Sequence, residues 1–533
     1  MTENASERAQ RESIETALES IVQLELAGRH EEARTYLTGL WPYLLDGLED
    51  PPDPHTTSVF SGASLGYLQL GARTKAIQFA ENALIVSPSD SLAHAILPVT
   101  ERILIVRKFM HHHQYGKARE LLGAIRSRNP EAAAETDFYV RLLEHYASEA
   151  ADLRALRPLN GDATLFNVVL WGEAYVDKFL RTSLPSLLAP GNVPALAERG
   201  PVVFDIYTTE TDRERLAAAS GIDALAGHAR IDYTLIPPEF LAFEKTYSTG
   251  APDRLFVSGS QYLSALKAKA LAADFAFVVT EGLYSDRHFS VAKRYLRGGY
   301  KAVLMCSLRT RDADVAAYLK AQSALCGDAI VLDAKQLLDY TTGKFGPHGH
   351  DLFIRSDSRP IGQDVTALYF KTATGFAAHT YQISPALISH EIVPADLQFD
   401  YHTSDTRLLA ELAKDQSPDS IFKVVENPAR DDLFVTDLDS GPQSAARVFG
   451  SFPVTVDQCV TSALKWCSRQ SDFGYFEWAF GRRFEFDCDP NVLPDNDKPE
   501  SEIVAEFLSL FRDSRDEYAR AIRYFREDDG GPA

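Results

Sequence analysis

A chain of 533 residues with 45% hydrophobic and 24% charged side chains has a globular balance and room for about three domains. Its 54 Lys and Arg stand against 75 Asp and Glu, a formal charge of −21, which argues against nucleic acid or an anionic membrane surface as a general partner. The five cysteines (Cys306, Cys326, Cys459, Cys467 and Cys488) form no CxxC pair and read as reduced thiols of a cytoplasmic protein. The opening MTENASERAQRESIE has no apolar core, so no signal peptide is expected, and no stretch reaches the ~18 apolar residues of a membrane helix.

The first third carries an internal repeat. LGARTKAIQFAENALIVSP (70–88) places Gly71 before Ala76, Ala83 and Pro88, and HQYGKARELLGAIRSRNP repeats the pattern with Ala118, Ile125 and Pro130. LAGRHEEARTYLTGLW is a fainter copy with Gly28, Ala33 and Leu40. The pattern is that of paired helices: a Gly ends the first, a small Ala lets the second sit close, and a Pro stops it. It resembles the tetratricopeptide repeat, with longer spacing than that family uses. The resemblance implies an all-α helical-repeat domain over 1–155, with a concave surface for a protein or peptide partner through residues 1–150. Docking on the rest of the chain, or homodimer formation, is the alternative use of the same surface.

From about residue 160 the pattern changes. LFNVVLW (165–171) is a short apolar run bounded by Gly161 and Gly172 and reads as a buried strand. A helical period follows through Tyr175, Phe179, Leu184, Leu187 and Leu188. PVVFDIYTT (201–209), ARIDYTLIP (229–237), FAFVVTEG (275–282) and YKAVLMCSL (300–308) are further strands, with helices at TDRERLAAASGIDALAG and SQYLSALKAKALAAD between them. Alternation of this kind predicts an α/β domain over 160–445 built on a doubly wound parallel sheet. No GxGxxG follows the first strand, and no GxxxxGK[ST] occurs, which counts against a dinucleotide-binding or P-loop domain.

VVLWGEAYVDKFLRTSLPSLLAPGNVPAL (168–196) and VFDIYTTETD (203–212), in this strand order, resemble the nucleotide-sugar-binding half of GT-A-type glycosyltransferases. The likeness covers about 160–310 well and 311–445 poorly. It implies a nucleotide sugar as ligand, with base and ribose held by Trp171, Gly172, Thr208, Thr209, Glu210 and Asp212, and a basic contact from Lys267 or Lys269. It also implies Mn²⁺ or Mg²⁺ on the diphosphate, held by acids at the end of the fourth strand. Here the chain departs from the family's DxD. Only Glu281 stands at the strand end, and Asp286 and His288 further along the loop are the candidates to supplement it as metal ligands. Glu281 reads either as a metal ligand or as a solvated loop acid.

Other candidates stand outside that half. DDLFVTDLDSG (431–441) sets Asp437 and Asp439 after the apolar run Leu433–Val435, either as a second metal motif or as a surface acid cluster. HGHD (348–351) suits a metal or a plain loop. An inverting transferase needs a base on its acceptor hydroxyl. His379, Glu391, Asp396 and Asp400 are available, and the sequence does not rank them. Arg309 and Arg311 suit a phosphate or a salt bridge. Neither GxSxG nor HExxH occurs.

Residues 446–533 are expected as a C-terminal helical region. FGYFEWAFGRRFEF (473–486) suits a helix or a hairpin, and DCDPNVLPDNDKPESE (487–502) reads as a linker. SEIVAEFLSLFRDSRDEYARAIRYF (501–525) is an amphipathic helix with Ile503, Phe507 and Phe511 on one face. Two functions follow from the whole: a glycosyltransferase acting on a protein or surface-glycan precursor, or a non-catalytic scaffold whose sheet domain has lost its metal.

Overall fold

The computed structural model describes residues 60, 61, 64, 73–111, 114–241, 252–311, 315–322, 324–344, 353, 367–381, 383–394, 397, 409–410, 416–439, 455–456, 459–460, 463–464 and 473–522. The chain divides into two compact units, residues 1–144 with 519–533, and residues 145–518.

The described part of the first unit is helical. Its elements are α1 (Arg73–Val86), α2 (Ser91–Ile96), α3 (Val99–His111), α4 (Tyr115–Arg128) and the start of α5 (Ala133–Arg154). Ala76 and Ala83 of α1 and Ala118 and Ile125 of α4, the positions on which the repeat pattern rests, are fully buried. Asp90 starts α2, accepting from Ala93 N at 2.8 Å, as an N-cap carboxylate should. The faint copy at Gly28, Ala33 and Leu40, and Gly71, lie outside the described residues.

The second unit is built on a seven-stranded sheet. Its strands are β1 (Thr164–Val169), β2 (Val202–Thr208), β3 (Arg230–Leu235), β4 (Asp274–Val278), β6 (Ala302–Met305), β12 (Ser384–Ile388) and β13 (Phe422–Val425). Their order is β13-β6-β12-β4-β1-β2-β3. The expected strands are present, but the sheet is mixed and not wholly parallel: β12 runs antiparallel between β4 and β6. Helices cover both faces. Asn167 of β1 meets α7 (Pro252–Leu271), and its neighbour Phe166 packs edge-on against Phe289 of α8 (His288–Arg297) at 4.8 Å. Adjacent strand residues point to opposite faces, so the two helices flank the sheet.

Besides the two-stranded pair of β8 (Leu325–Cys326) with β9 (Ala329–Ile330), two three-stranded sheets complete this unit. One joins β5 (Gly282–Tyr284), β14 (Val435–Asp439) and β7 (Leu308–Arg311) in the order β5-β14-β7. The other joins β10 (Ala367–Thr372), β11 (Gly375–Thr380) and β15 (Phe484–Asp487). β15 pairs with β11, and Phe486 stacks on Phe376 at 4.7 Å. The chain past 446 is therefore not a separate helical region: its described part up to Tyr518 belongs to the second unit. FGYFEWAFGRRFEF is helix Phe473–Phe480 and then strand β15. The C-terminal helix, α9 (Glu500–Ile522), buries Ile503, Phe507 and Phe511 as its periodicity requires.

Candidate functional site

From β1 the chain lays β2 and β3 on one side and then crosses to place β4 on the other. The strand order thus reverses between β1 and β4. In open α/β sheets the crevice outside the carboxyl ends of the strands at such a point is where ligands bind. A cavity of about 260 Å³ lies there, lined by Asn167 and Val169 of β1 and by Phe277 to Glu281 at and beyond the end of β4. Ser307 and Asp437 also line it, with Gln261 of α7. The walls are mostly apolar, with a few convergent polar groups, as small-molecule sites usually are.

Glu281 and Asp437 are far apart in sequence, yet both line this cavity. Strand pairing brings them together. In the β5–β14 pair Asp437 stands opposite Gly282, and Leu438 N donates to Glu281 O at 3.0 Å. On its other side Asp437 is in register with Arg309 of β7. The helix after β1 holds both acid-bearing segments. It begins as α6 (Glu173–Lys178) and continues through a single π turn, Phe179–Ser183. Such turns recur at functional sites. Buried Lys178 donates from Nζ to Leu438 O at 2.8 Å, next to Asp437. Ser183 Oγ reaches the carbonyls of Thr280 at 2.6 Å and Gly282 at 2.7 Å, on either side of Glu281.

Burial pushes the Asp437 carboxyl up to about 6; Arg309 opposes this, the Glu281 carboxylate adds to it, and Ser307 and Lys178 oppose it. Asp437 Oδ1 is shut off from solvent with no hydrogen-bond partner. A buried, unpartnered carboxylate oxygen beside a second carboxylate suits a hard divalent cation, and Mg²⁺ and Mn²⁺ prefer oxygen ligands of this kind. Among the described residues no group of three or more His, Cys, Asp or Glu forms a complete metal cage. Mg²⁺ is commonly held by one or two carboxylates together with substrate phosphates, so two acids fit that mode. The side chain of Asp439 lies outside the described residues.

The residues expected to hold base and ribose gather at the ends of β1 and β2. Asp212 accepts from Gly172 N at 2.8 Å and from Thr209 Oγ1 at 2.8 Å. Thr209 also caps helix Glu210–Ala217. Gly172, at φ +85, tolerates a backbone that few other residues adopt. Asp212 therefore ties the two loops together. Trp171 is part-buried, and Thr208 is fully buried with no partner on its hydroxyl.

Several expected site residues stand elsewhere. Lys267 is buried and pairs with Asp205 and Asp232, each at 2.8 Å, and does not line the cavity. Asp286 accepts from Gly191 N at 2.7 Å and shapes that turn. Any side chain on Gly191 would collide with Asp286 and Arg287. His288 does line the cavity, but burial pushes its imidazole down to about 3, so the ring is neutral at pH 7. His379 bonds Phe480 O at 3.0 Å and Glu500 Oε1 at 3.1 Å, locking β11 to the C-terminal helix. Glu391 pairs with Lys301, just beyond the β12 end where Ile388 meets Ala302 and Phe275. That is the amino edge of the parallel strands, opposite the cavity, which removes support for Glu391 as an acceptor base there. Asp396, Asp400 and His348 to Asp351 lie outside the described residues.

Glu281 and Asp437, which read from the sequence as separate candidate motifs, line one cavity. Asn167, not among the expected site residues, also lines it; its signal in the sequence is a polar residue inside an apolar run. No protein-family model matches the chain, and no curated protein is significantly similar to it. The fold and cavity define a mixed α/β protein with a carboxylate-bearing crevice at the switch point of its sheet.

Proposed function

We propose that the protein is a GT-A-like glycosyltransferase that takes a nucleotide-activated sugar at the carboxyl edge of its seven-stranded sheet. The observation that carries this reading is the meeting of Glu281 and Asp437 in the cavity between the ends of β1 and β4. In this reading Glu281 and Asp437 would hold Mn²⁺ or Mg²⁺, which would supply charge neutralisation for a nucleoside diphosphate. Lys178 and Arg309, set around Asp437, temper the repulsion between the two carboxylates before the cation arrives. The loops tied by Asp212 stand outside the cavity lining, and in this reading Trp171 and Gly172 meet the nucleotide there. The acceptor is a protein or a surface-glycan precursor, and the helices of residues 1–150 recruit it or a partner in the manner of tetratricopeptide repeats.

A scaffold reading has one observation in its favour. The cavity, about 260 Å³, is below the ~300–1,000 Å³ usual for a drug-sized ligand. The two readings part in a thermal-shift panel of UDP-, GDP-, CMP- and dTDP-sugars with and without Mn²⁺. A ligand that binds only the folded state raises the melting temperature. The transferase reading expects one nucleotide class to shift the wild type with Mn²⁺ and to fail with Glu281→Gln. A flat panel would favour the scaffold.

A further inference from the structure

Asn167 is buried on β1, lines the cavity, and belongs to a polar row crossing the sheet. Parallel pairing places Asn167 beside Asp205 of β2, and Asp205 beside Asp232 of β3. Over this row α7 lays Ser260, Ser264 and Lys267, spaced four and three residues apart and so on one helix face. Lys267 Nζ pairs with Asp205 Oδ1 and Asp232 Oδ2, each at 2.8 Å. Ser264 Oγ lies 2.5 Å from Asp205 Oδ2, and Asn167 Nδ2 lies 2.7 Å from Ser260 Oγ and 2.8 Å from Ser264 Oγ.

This row fixes the Asn167 amide. The Asp205 carboxylate, paired with Lys267, only accepts hydrogen bonds. The single proton of Ser264 therefore goes to Asp205, and toward Asn167 the same hydroxyl can only accept. Asn167 must turn its NH₂ to the serines, which leaves its carbonyl oxygen as the group available to the cavity. Burying so many polar groups over an otherwise apolar strand is costly unless all are paired. The arrangement is what a site needs to hold one acceptor rigidly: a side chain in the cavity, oriented by a second layer that is itself anchored.

We infer that Asn167 presents its carboxamide oxygen as the acceptor for a hydroxyl of the bound sugar nucleotide, and that Ser264, Asp205 and Lys267 are positioning residues that keep it so oriented. The inference rests on the proposed function and specifies which ligands that site prefers. A ligand lacking the hydroxyl leaves a buried acceptor unpaired, a loss of about ten- to a hundred-fold in affinity.

The test is calorimetric titration of the full chain. The probes are the nucleotide sugar giving the largest thermal shift and its 2′-deoxy, 3′-deoxy and sugar-deoxy counterparts. Wild type should bind one deoxy form about ten- to a hundred-fold more weakly than the parent. Asn167→Ala should bring that ratio close to one. Ser264→Ala, which keeps Asn167 and guards against a misfolded first variant, should lower the ratio by letting the amide flip. A purely structural defect would weaken parent and deoxy ligands alike and leave the ratio intact. An unchanged ratio in both variants overturns the inference while leaving the transferase reading standing. If no nucleotide sugar binds wild type, that reading fails. Free ribose and glucose with their deoxy forms then decide the inference: discrimination lost in Asn167→Ala upholds it, and no binding overturns it.

Discussion

Asp437 is the residue whose chemistry is most at odds with its surroundings. Its carboxyl is raised from 3.8 to about 6, foremost by burial. Between about pH 4 and 6 the folded chain holds this proton more tightly than the unfolded chain, so stability falls as pH rises through that window. The difference between 3.8 and about 6 corresponds to up to about 3 kcal/mol lost above pH 6. Asp437→Asn should therefore stabilise the metal-free protein at pH 7.5 and leave it unchanged near pH 3.5. Calorimetric melting across pH measures this, and a variant less stable than wild type at pH 7.5 would refute the account of Asp437. Lys267 gives the converse case. Removing one partner of a buried ion pair costs about 3–5 kcal/mol. Lys267→Met should lose that much in denaturant unfolding, because Asp205 is left buried without its counter-charge. Intact stability with weakened nucleotide binding would return Lys267 to the direct nucleotide contact expected of it from sequence.

At the scale of elements, one helix sets the site. Through Lys178 it grips β14, and through Ser183 it grips the turn at residues 280–282. Ser183→Ala removes a hydroxyl from buried carbonyls and should cost about 1–2 kcal/mol in stability. It should also weaken divalent-cation binding, because Glu281 loses the support on both sides of it. A stability loss with wild-type cation affinity would show that the turn holds Glu281 without Ser183. β1, β2 and β4 are legible in the sequence as largely apolar runs bounded by Gly, Pro or a turn, and β3 as the alternation of Ile, Tyr and Leu with polar residues in RIDYTL. β12 and β13 are not. SPALI opens with Ser and Pro, FKVV is four residues long, and neither has the length or period that marks a strand. Without β12 the sequence pattern predicts a wholly parallel sheet, and it is β12 that makes the sheet mixed. The site was legible only in halves. Glu281 and Asp437 each stood out as an acid after an apolar run, but strand register across a long sequence separation made them neighbours, and local pattern does not carry register.

For the whole molecule, the acidic balance of −21 agrees with the proposed small-molecule site and argues against a polyanion as a general partner. No helix among the described residues is long and apolar enough to cross a membrane. The account stands or falls on whether Glu281 and Asp437 act as one site. The direct measurement is Mn²⁺ binding, followed by electron paramagnetic resonance, for wild type, Glu281→Gln and Asp437→Asn with each nucleotide sugar of the panel. One Mn²⁺ per chain should bind with the matching nucleotide sugar. Its affinity should fall at least about tenfold in either variant, and in wild type it should decline below about pH 6 as the proton competes for Asp437. Mn²⁺ and nucleotide binding to both variants with wild-type affinity would contradict the account.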